Sequence, residues 1–292
     1  MNRREFILGG VATSLAGCRC LRFGCHPRTA VQAYSVRDLL SKDFHGTCAR
    51  LAALGLDGLE MWGTKDFEAR MVRRSLDDSR LVACGAHVGI EQLLPDARNW
   101  AFDYAQTVGY TRIIVPWLMP EKGLADEPDW WRRQAAVMNA AADAARARGL
   151  AIGYHNHDHE FGRSFGGKTV WEIFTGEFSD DIFIQWDVGA LAHADQDAAA
   201  WMRRYPGRCP TIHVKDDWDK DLGYWGVIGE PPPGRPGVDW QAVVTELRRH
   251  PVEWAVVEPA TSDRLDTVAR SLARLKELDT WCAKRSSAEL TE

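Results

Sequence analysis

The run Tyr154-His155-Asn156-His157-Asp158-His159-Glu160-Phe161 puts three of the chain's nine histidines within five residues, at the end of an apolar stretch. On a strand, alternation sends His155, His157 and His159 to one side and Asn156, Asp158 and Glu160 to the other until the chain bends. Residues of similar chemistry close other apolar runs: Tyr34 and Arg37, Glu60, His87, Pro116 with Trp117, Asp187, His213 with Lys215, and Glu258. Among them Glu160, Asp187, His213 and Glu258 make a set of three carboxylates and one imidazole. Such a set suits one divalent ion, Mn²⁺, Mg²⁺, Co²⁺ or Zn²⁺, and its lack of cysteine argues against a structural zinc site. Arg37 and Lys215 alone would leave net negative charge among so many acids, which a metal neutralises better.

The elements that must position these groups repeat one unit, a short apolar run followed by an amphipathic helix. The runs are VQAY at Val31, GLEMW at Gly58, LVACGAHV at Leu81, RIIVPW at Arg112, LAIGYHNH at Leu150, IFIQWD at Ile182, TIHVKD at Thr211 and WAVVEP at Trp254. Eight strands each followed by a helix predict an α/β fold of the (β/α)8 TIM barrel type. An open doubly wound sheet would carry a glycine-rich phosphate turn after its first strand, where this chain reads YSVRD. In a closed barrel the C-terminal strand ends share one mouth, so the ionisable groups at seven of the eight ends would converge. The barrel is expected over 30–284, with a tail at 285–292.

QAYSVRD, YHNHDHEF, HVKD and VVEP resemble, in that order, the strand-end motifs of the xylose isomerase-like barrel superfamily, in its sugar isomerase and epimerase branch, to which inosose dehydratases are related. The resemblance implies a metal on Glu160, Asp187, His213 and Glu258, with Glu160 and Glu258 also exchanging the substrate proton. It implies proton removal next to a carbonyl, with the enediolate stabilised by the metal; reprotonation then gives epimerisation or isomerisation, and loss of a β-substituent gives elimination. Tyr34, Arg37, Glu60, His87, Trp117, His155, His157 and Lys215 would contact the sugar. Trp62, Trp186, Trp218 and Trp225 offer further flat faces to it. The chain departs from the pattern at Ala190, where many relatives carry a histidine three residues after the strand-6 aspartate; His193 is off register. The long Gly- and Pro-rich connection after HVKD is placed to cover the mouth.

A net charge of −5 lacks the basic footprint of a nucleic-acid-binding protein, which sets aside an apurinic endonuclease of the same superfamily. The partner expected is a small carbohydrate. At the N-terminus, Arg3-Arg4 precedes an uncharged run from Phe6 to Ala16, and Leu15-Ala16-Gly17-Cys18 closes it. These residues resemble a twin-arginine export signal ending in a lipobox, which implies a signal over 1–18, lipidation at Cys18, a linker over 19–29 and a periplasmic or membrane-anchored product. Contact with a membrane would be through that anchor alone. Cys48, Cys84 and Cys209 read as buried apolar residues. The functions this leaves are a metal-dependent sugar isomerase or epimerase, a lyase or dehydratase of keto-sugars or keto-inositols, and a non-catalytic sugar-binding lipoprotein.

Overall fold

The computed structural model describes residues 27–63, 66–120, 127–219, 224–250, 252–259 and 265–289. The expected signal and Cys18 lie outside the described residues. Eight parallel strands close into one barrel: β1 (Arg28–Gln32), β2 (Gly58–Trp62), β3 (Val82–His87), β4 (Arg112–Val115), β5 (Ala151–His155), β6 (Phe183–Asp187), β7 (Thr211–Val214) and β8 (Trp254–Val257). Closure is made at β1, where Val31 stands opposite Val257 of β8 and opposite Leu59 of β2. All eight apolar runs are barrel strands, and β1 begins at Arg28, slightly ahead of the expected boundary at residue 30.

Helices pack around the barrel, and polar residues start them at defined points. Asp43 accepts the Gly46 N–H at 2.9 Å, Thr169 and Glu172 form a capping box, and Asp239 accepts the Ala242 N–H at 3.0 Å. Gly109, at φ 95°, ends the helix Arg98–Val108 in the left-handed region and turns the chain into β4. Between barrel and helices, Tyr154, Trp171, Phe174 and Trp186 are fully buried, with the rings of Trp171 and Trp186 4.9 Å apart. Burying a side chain of Phe size contributes about 3 kcal/mol. Trp186 therefore does not face the mouth as expected. It alternates along β6 with Gln185 and Asp187, which turn into the barrel, so its own ring goes to the helix side.

The connection after β7 is tied down by Asp216. Its Oδ1 accepts the Val238 N–H at 3.1 Å, and its Oδ2 accepts the Gly229 N–H and the Trp240 Nε1–H, both at 2.9 Å. Within this connection Trp218–Asp219 pairs antiparallel with Tyr224–Trp225. The pairing carries Trp218 and Trp225 to the mouth of the barrel.

Candidate active site

At the C-terminal end of the barrel the inward residues change from apolar to polar. Glu60 of β2 is fully buried and is the hub of this layer. It accepts from Gln32 Nε2 at 2.8 Å, Gln185 Nε2 at 2.7 Å and His213 Nε2 at 2.6 Å, with His87 Nε2 at 3.1 Å. Burial alone would raise the Glu60 carboxyl, but His213 and His87 outweigh it and hold the group well below the usual carboxylate range. The pairing of β2 with β3 shifts register at Leu59/Glu60, the kind of irregularity that re-aims a side chain.

On this layer stand His155, Asp187, His213 and Glu258, one ligand atom of each lying within 4.8 Å of the others. His155 Nε2 is 3.4 Å from Asp187 Oδ2, and His213 Nδ1 is 3.0 Å from Glu258 Oε2. Lys215 Nζ lies 2.8 Å from Asp187 Oδ2 and 2.5 Å from Glu258 Oε2. Asp187 divides its work: Oδ1 caps the helix Val188–His193 through the Ala190 N–H at 3.1 Å, while buried Oδ2 makes no well-formed hydrogen bond.

Burial, reinforced by the neighbouring His213, pushes His155 down to about 4. Burial would also lower His213, but Glu60 and Glu258 win and raise it to about 9. Against their burial, Lys215 holds both Asp187 and Glu258 below the usual range, and they in turn raise Lys215. Three carboxylates, Glu60, Asp187 and Glu258, thus face two cations, Lys215 and protonated His213. A neutral imidazole, a second imidazole, two carboxylates, a carboxylate oxygen held by ion pairing alone and surplus negative charge fit a divalent cation of borderline hardness.

Glu160, expected in the ligand set, is not in this group. β5 ends at His155, and Asn156 is bound straight back to the backbone of Asp187, accepting its N–H at 2.8 Å and donating to its carbonyl at 3.3 Å. The expected alternation through His159 therefore stops. Glu160 is tucked on the helix side, where Tyr154 Oη donates to it at 2.5 Å and the His157 N–H at 2.9 Å. Burial raises its carboxyl. His155 occupies the place expected of Glu160.

A cavity of about 660 Å³ opens above the cluster. His87, His155, His157, Lys215 and Glu258 form its polar side. Tyr34, Arg37 and Trp117 line it together with Trp62, Trp218 and Trp225. Tyr34 meets Trp62 edge-on at 5.3 Å, Trp218 meets Trp225 edge-on at 5.4 Å, and Lys215 Nζ sits 4.2 Å from the Trp225 ring. Arg37 stacks 4.0 Å over Tyr34 and donates to its carbonyl at 2.7 Å. Glu60, expected at the substrate, is instead sealed beneath the cavity by its protein partners. His159 Nε2 donates to the Leu118 carbonyl at 3.0 Å, and His193 pairs with Asp217 at 2.8 Å. Gln32 and Gln185 were not singled out from the sequence; Gln185 could have been, since it lies two residues before Asp187 and shares its face of β6.

A family model described as xylose isomerase-like TIM barrel matches residues 48–278. The chain belongs to that family. No curated protein matches it. Among solved structures, this family member is similar to a sugar phosphate isomerase/epimerase from Parabacteroides distasonis, with 20% identity over 85% of this chain and 92% of the other and a TM-score of 0.69. A D-tagatose 3-epimerase-like protein matches 89% of this chain and 99% of its own at 13% identity, TM-score 0.67. The probable 3-DHS dehydratase AsbF from Bacillus anthracis matches 86% of this chain and 98% of its own at 14% identity, TM-score 0.61. These likenesses establish the shared barrel.

Proposed function

We propose that the protein is a divalent-metal-dependent sugar isomerase or epimerase that removes the proton next to a carbonyl of an unphosphorylated sugar or keto-sugar. The observation that carries this reading is the convergence of His155, Asp187, His213 and Glu258 to within 4.8 Å under an aromatic-walled cavity. A divalent ion held by these four residues would supply Lewis-acid stabilisation of the negative charge that develops as the proton leaves. Glu258 is the carboxylate that lines the cavity among the described residues, and Lys215 keeps it in its basic, ionised form. Lys215, pinned between Glu258 and the Trp225 face, is placed to donate to a substrate oxygen. Tyr34, Trp62, Trp117, Trp218 and Trp225 suit the apolar faces of sugar rings. The absence of a glycine-rich phosphate loop, together with the export signal we propose at 1–18, supports an unphosphorylated substrate.

A second reading, elimination by a lyase or dehydratase, is favoured by one observation. Epimerisation through two carboxylates needs one on each face of the substrate, and Glu160 lies away from the cavity. A single base beside a cationic donor suits loss of a β-substituent. Incubating the zinc- or manganese-loaded protein with sugars and 3-keto-sugars in deuterated water separates the two. An epimer or aldose–ketose product labelled at one carbon supports the first reading, an unsaturated product the second. No exchange with any of them would sink both.

A further inference from the structure

Three buried side chains, Glu60 and Gln185 below the cluster and His155 within it, are bonded in a sequence that leaves little choice about where their protons lie. An ionised carboxylate only accepts hydrogen bonds. Glu60 Oε1 lies 2.7 Å from the Gln185 amide, so the end of Gln185 facing it must be the NH₂ group. The Gln185 carbonyl oxygen then points the other way, 3.0 Å from His155 Nδ1 and 2.9 Å from His87 Nε2. A carbonyl oxygen also only accepts, so both rings must donate to it. For His155 this puts the proton on Nδ1 and leaves the lone pair on Nε2, the nitrogen 3.4 Å from Asp187 Oδ2. The opposite arrangement would flip the amide and set its oxygen against Glu60 Oε1 at 2.7 Å, two acceptors in contact inside the protein. Glu60, Gln185 and His155 are each no more than 1% exposed, so water has little access to relieve that contact.

We propose that Gln185, itself oriented by Glu60, is a positioning residue that locks His155 in the Nδ1–H tautomer and so presents Nε2 as a ready ligand beside Asp187, His213 and Glu258. The inference rests on the metal site proposed above. It gives Glu60 a task that its burial beneath the cavity leaves otherwise unexplained. It also accounts for an amide at position 185, since leucine would fill similar space but accept from neither ring. Histidine ligands in metal sites are generally oriented through their second nitrogen, and loss of such a partner costs about 10–100-fold in metal affinity.

The test is 15N-histidine NMR of wild type and Gln185→Leu, metal-free and at pH 8, together with zinc affinity for each protein. In the wild type His155 should carry its proton on Nδ1. In Gln185→Leu, which must show a wild-type circular dichroism spectrum to be used, the Nε2–H form should appear and zinc affinity should fall about 10–100-fold. Glu60→Gln keeps the shape of the hub but can turn an amide NH₂ toward Gln185, which should let the Gln185 amide flip and the Nε2–H form of His155 appear, and so tests the same point if the leucine variant does not fold. Nε2–H in the wild type, or an unchanged tautomer and affinity in Gln185→Leu, would overturn the proposal. If the tautomers behave as expected but neither protein binds zinc, the relay stands and the metal reading fails.

Discussion

Lys215 Nζ lies 2.8 Å from Asp187 Oδ2, the carboxylate oxygen that His155 Nε2 approaches to 3.4 Å. The ammonium therefore holds one of the atoms that a divalent ion would take, and Glu258 Oε2 with it. Lys215 and the ion are competitors for two carboxylates as well as partners at the substrate.

Replacing Lys215 by methionine keeps the length of the side chain and removes the charge. Zinc affinity should rise by about tenfold or more, because a like charge a few ångströms away is gone. Turnover should nevertheless fall by at least about a hundredfold, since the donor to the substrate oxygen is lost. Competitive zinc titration and steady-state kinetics on one preparation check both. Weaker zinc binding in Lys215→Met would show that the lysine supports the ion instead of competing with it.

Proton linkage gives a second check. His213 is raised from 6.5 to about 9, so its contribution to stability is complete below about 6.5 and disappears as pH rises through 9. His155 is lowered from 6.5 to about 4, so its contribution is present above 6.5 and disappears as pH falls through 4. The thermal midpoint of the metal-free protein should decline on both sides of a maximum near pH 6.5. At pH 7, zinc binding should release about one proton, because His213 must give one up to bind. Calorimetry in buffers of different ionisation enthalpy measures it, and a buffer-independent heat would contradict the assignment of His213.

The exchange of Glu160 for His155 can be tested directly. Zinc content should be lost in His155→Ala and Asp187→Ala and kept within a few-fold in Glu160→Gln. The last change should instead cost about 1–3 kcal/mol of stability in urea unfolding, because the His157 N–H would meet an amide nitrogen or Tyr154 would lose an acceptor. Loss of metal from Glu160→Gln in a stable protein would return Glu160 to the ligand set.

Gly189 supports the site from behind. A Cβ there would stand 2.7 Å from the Asp216 carbonyl oxygen and 2.8 Å from Lys215 Cγ. Gly189→Ala should destabilise the protein by about 1–3 kcal/mol and reduce turnover by displacing Lys215. Denaturant unfolding and kinetics would show it; an alanine variant of normal stability and activity would mean that the helix Val188–His193 shifts freely.

At the N-terminus, cells expressing the full chain should carry it in the membrane fraction with Cys18 as the acylated first residue, and Cys18→Ala should lose the acyl group. Mass spectrometry of the mature N-terminus decides, and an uncleaved wild type in the cytoplasm would remove this support for an unphosphorylated substrate.

Hydrophobic periodicity is a local property, so the order of the eight strands and the closed barrel could be read from the sequence, and with them the convergence of Asp187, His213, Lys215 and Glu258 on one mouth. What lies past a strand end is not governed by periodicity. His155 and Glu160 are five residues apart in one run, yet the turn held by Asn156 sends the first into the cluster and the second to Tyr154 on the helix side. The same limit applies to Gln32 and Gln185, which look like ordinary polar residues until closure of the barrel brings them to Glu60, a residue the sequence places at the mouth and the hydrogen bonds hold beneath it. Residue types and strand parity were set by the sequence. Which nitrogen of His155 meets Asp187, and which cation shares its carboxylate, only the tertiary structure decided, because both depend on partners distant in the chain and only ångströms apart in the fold.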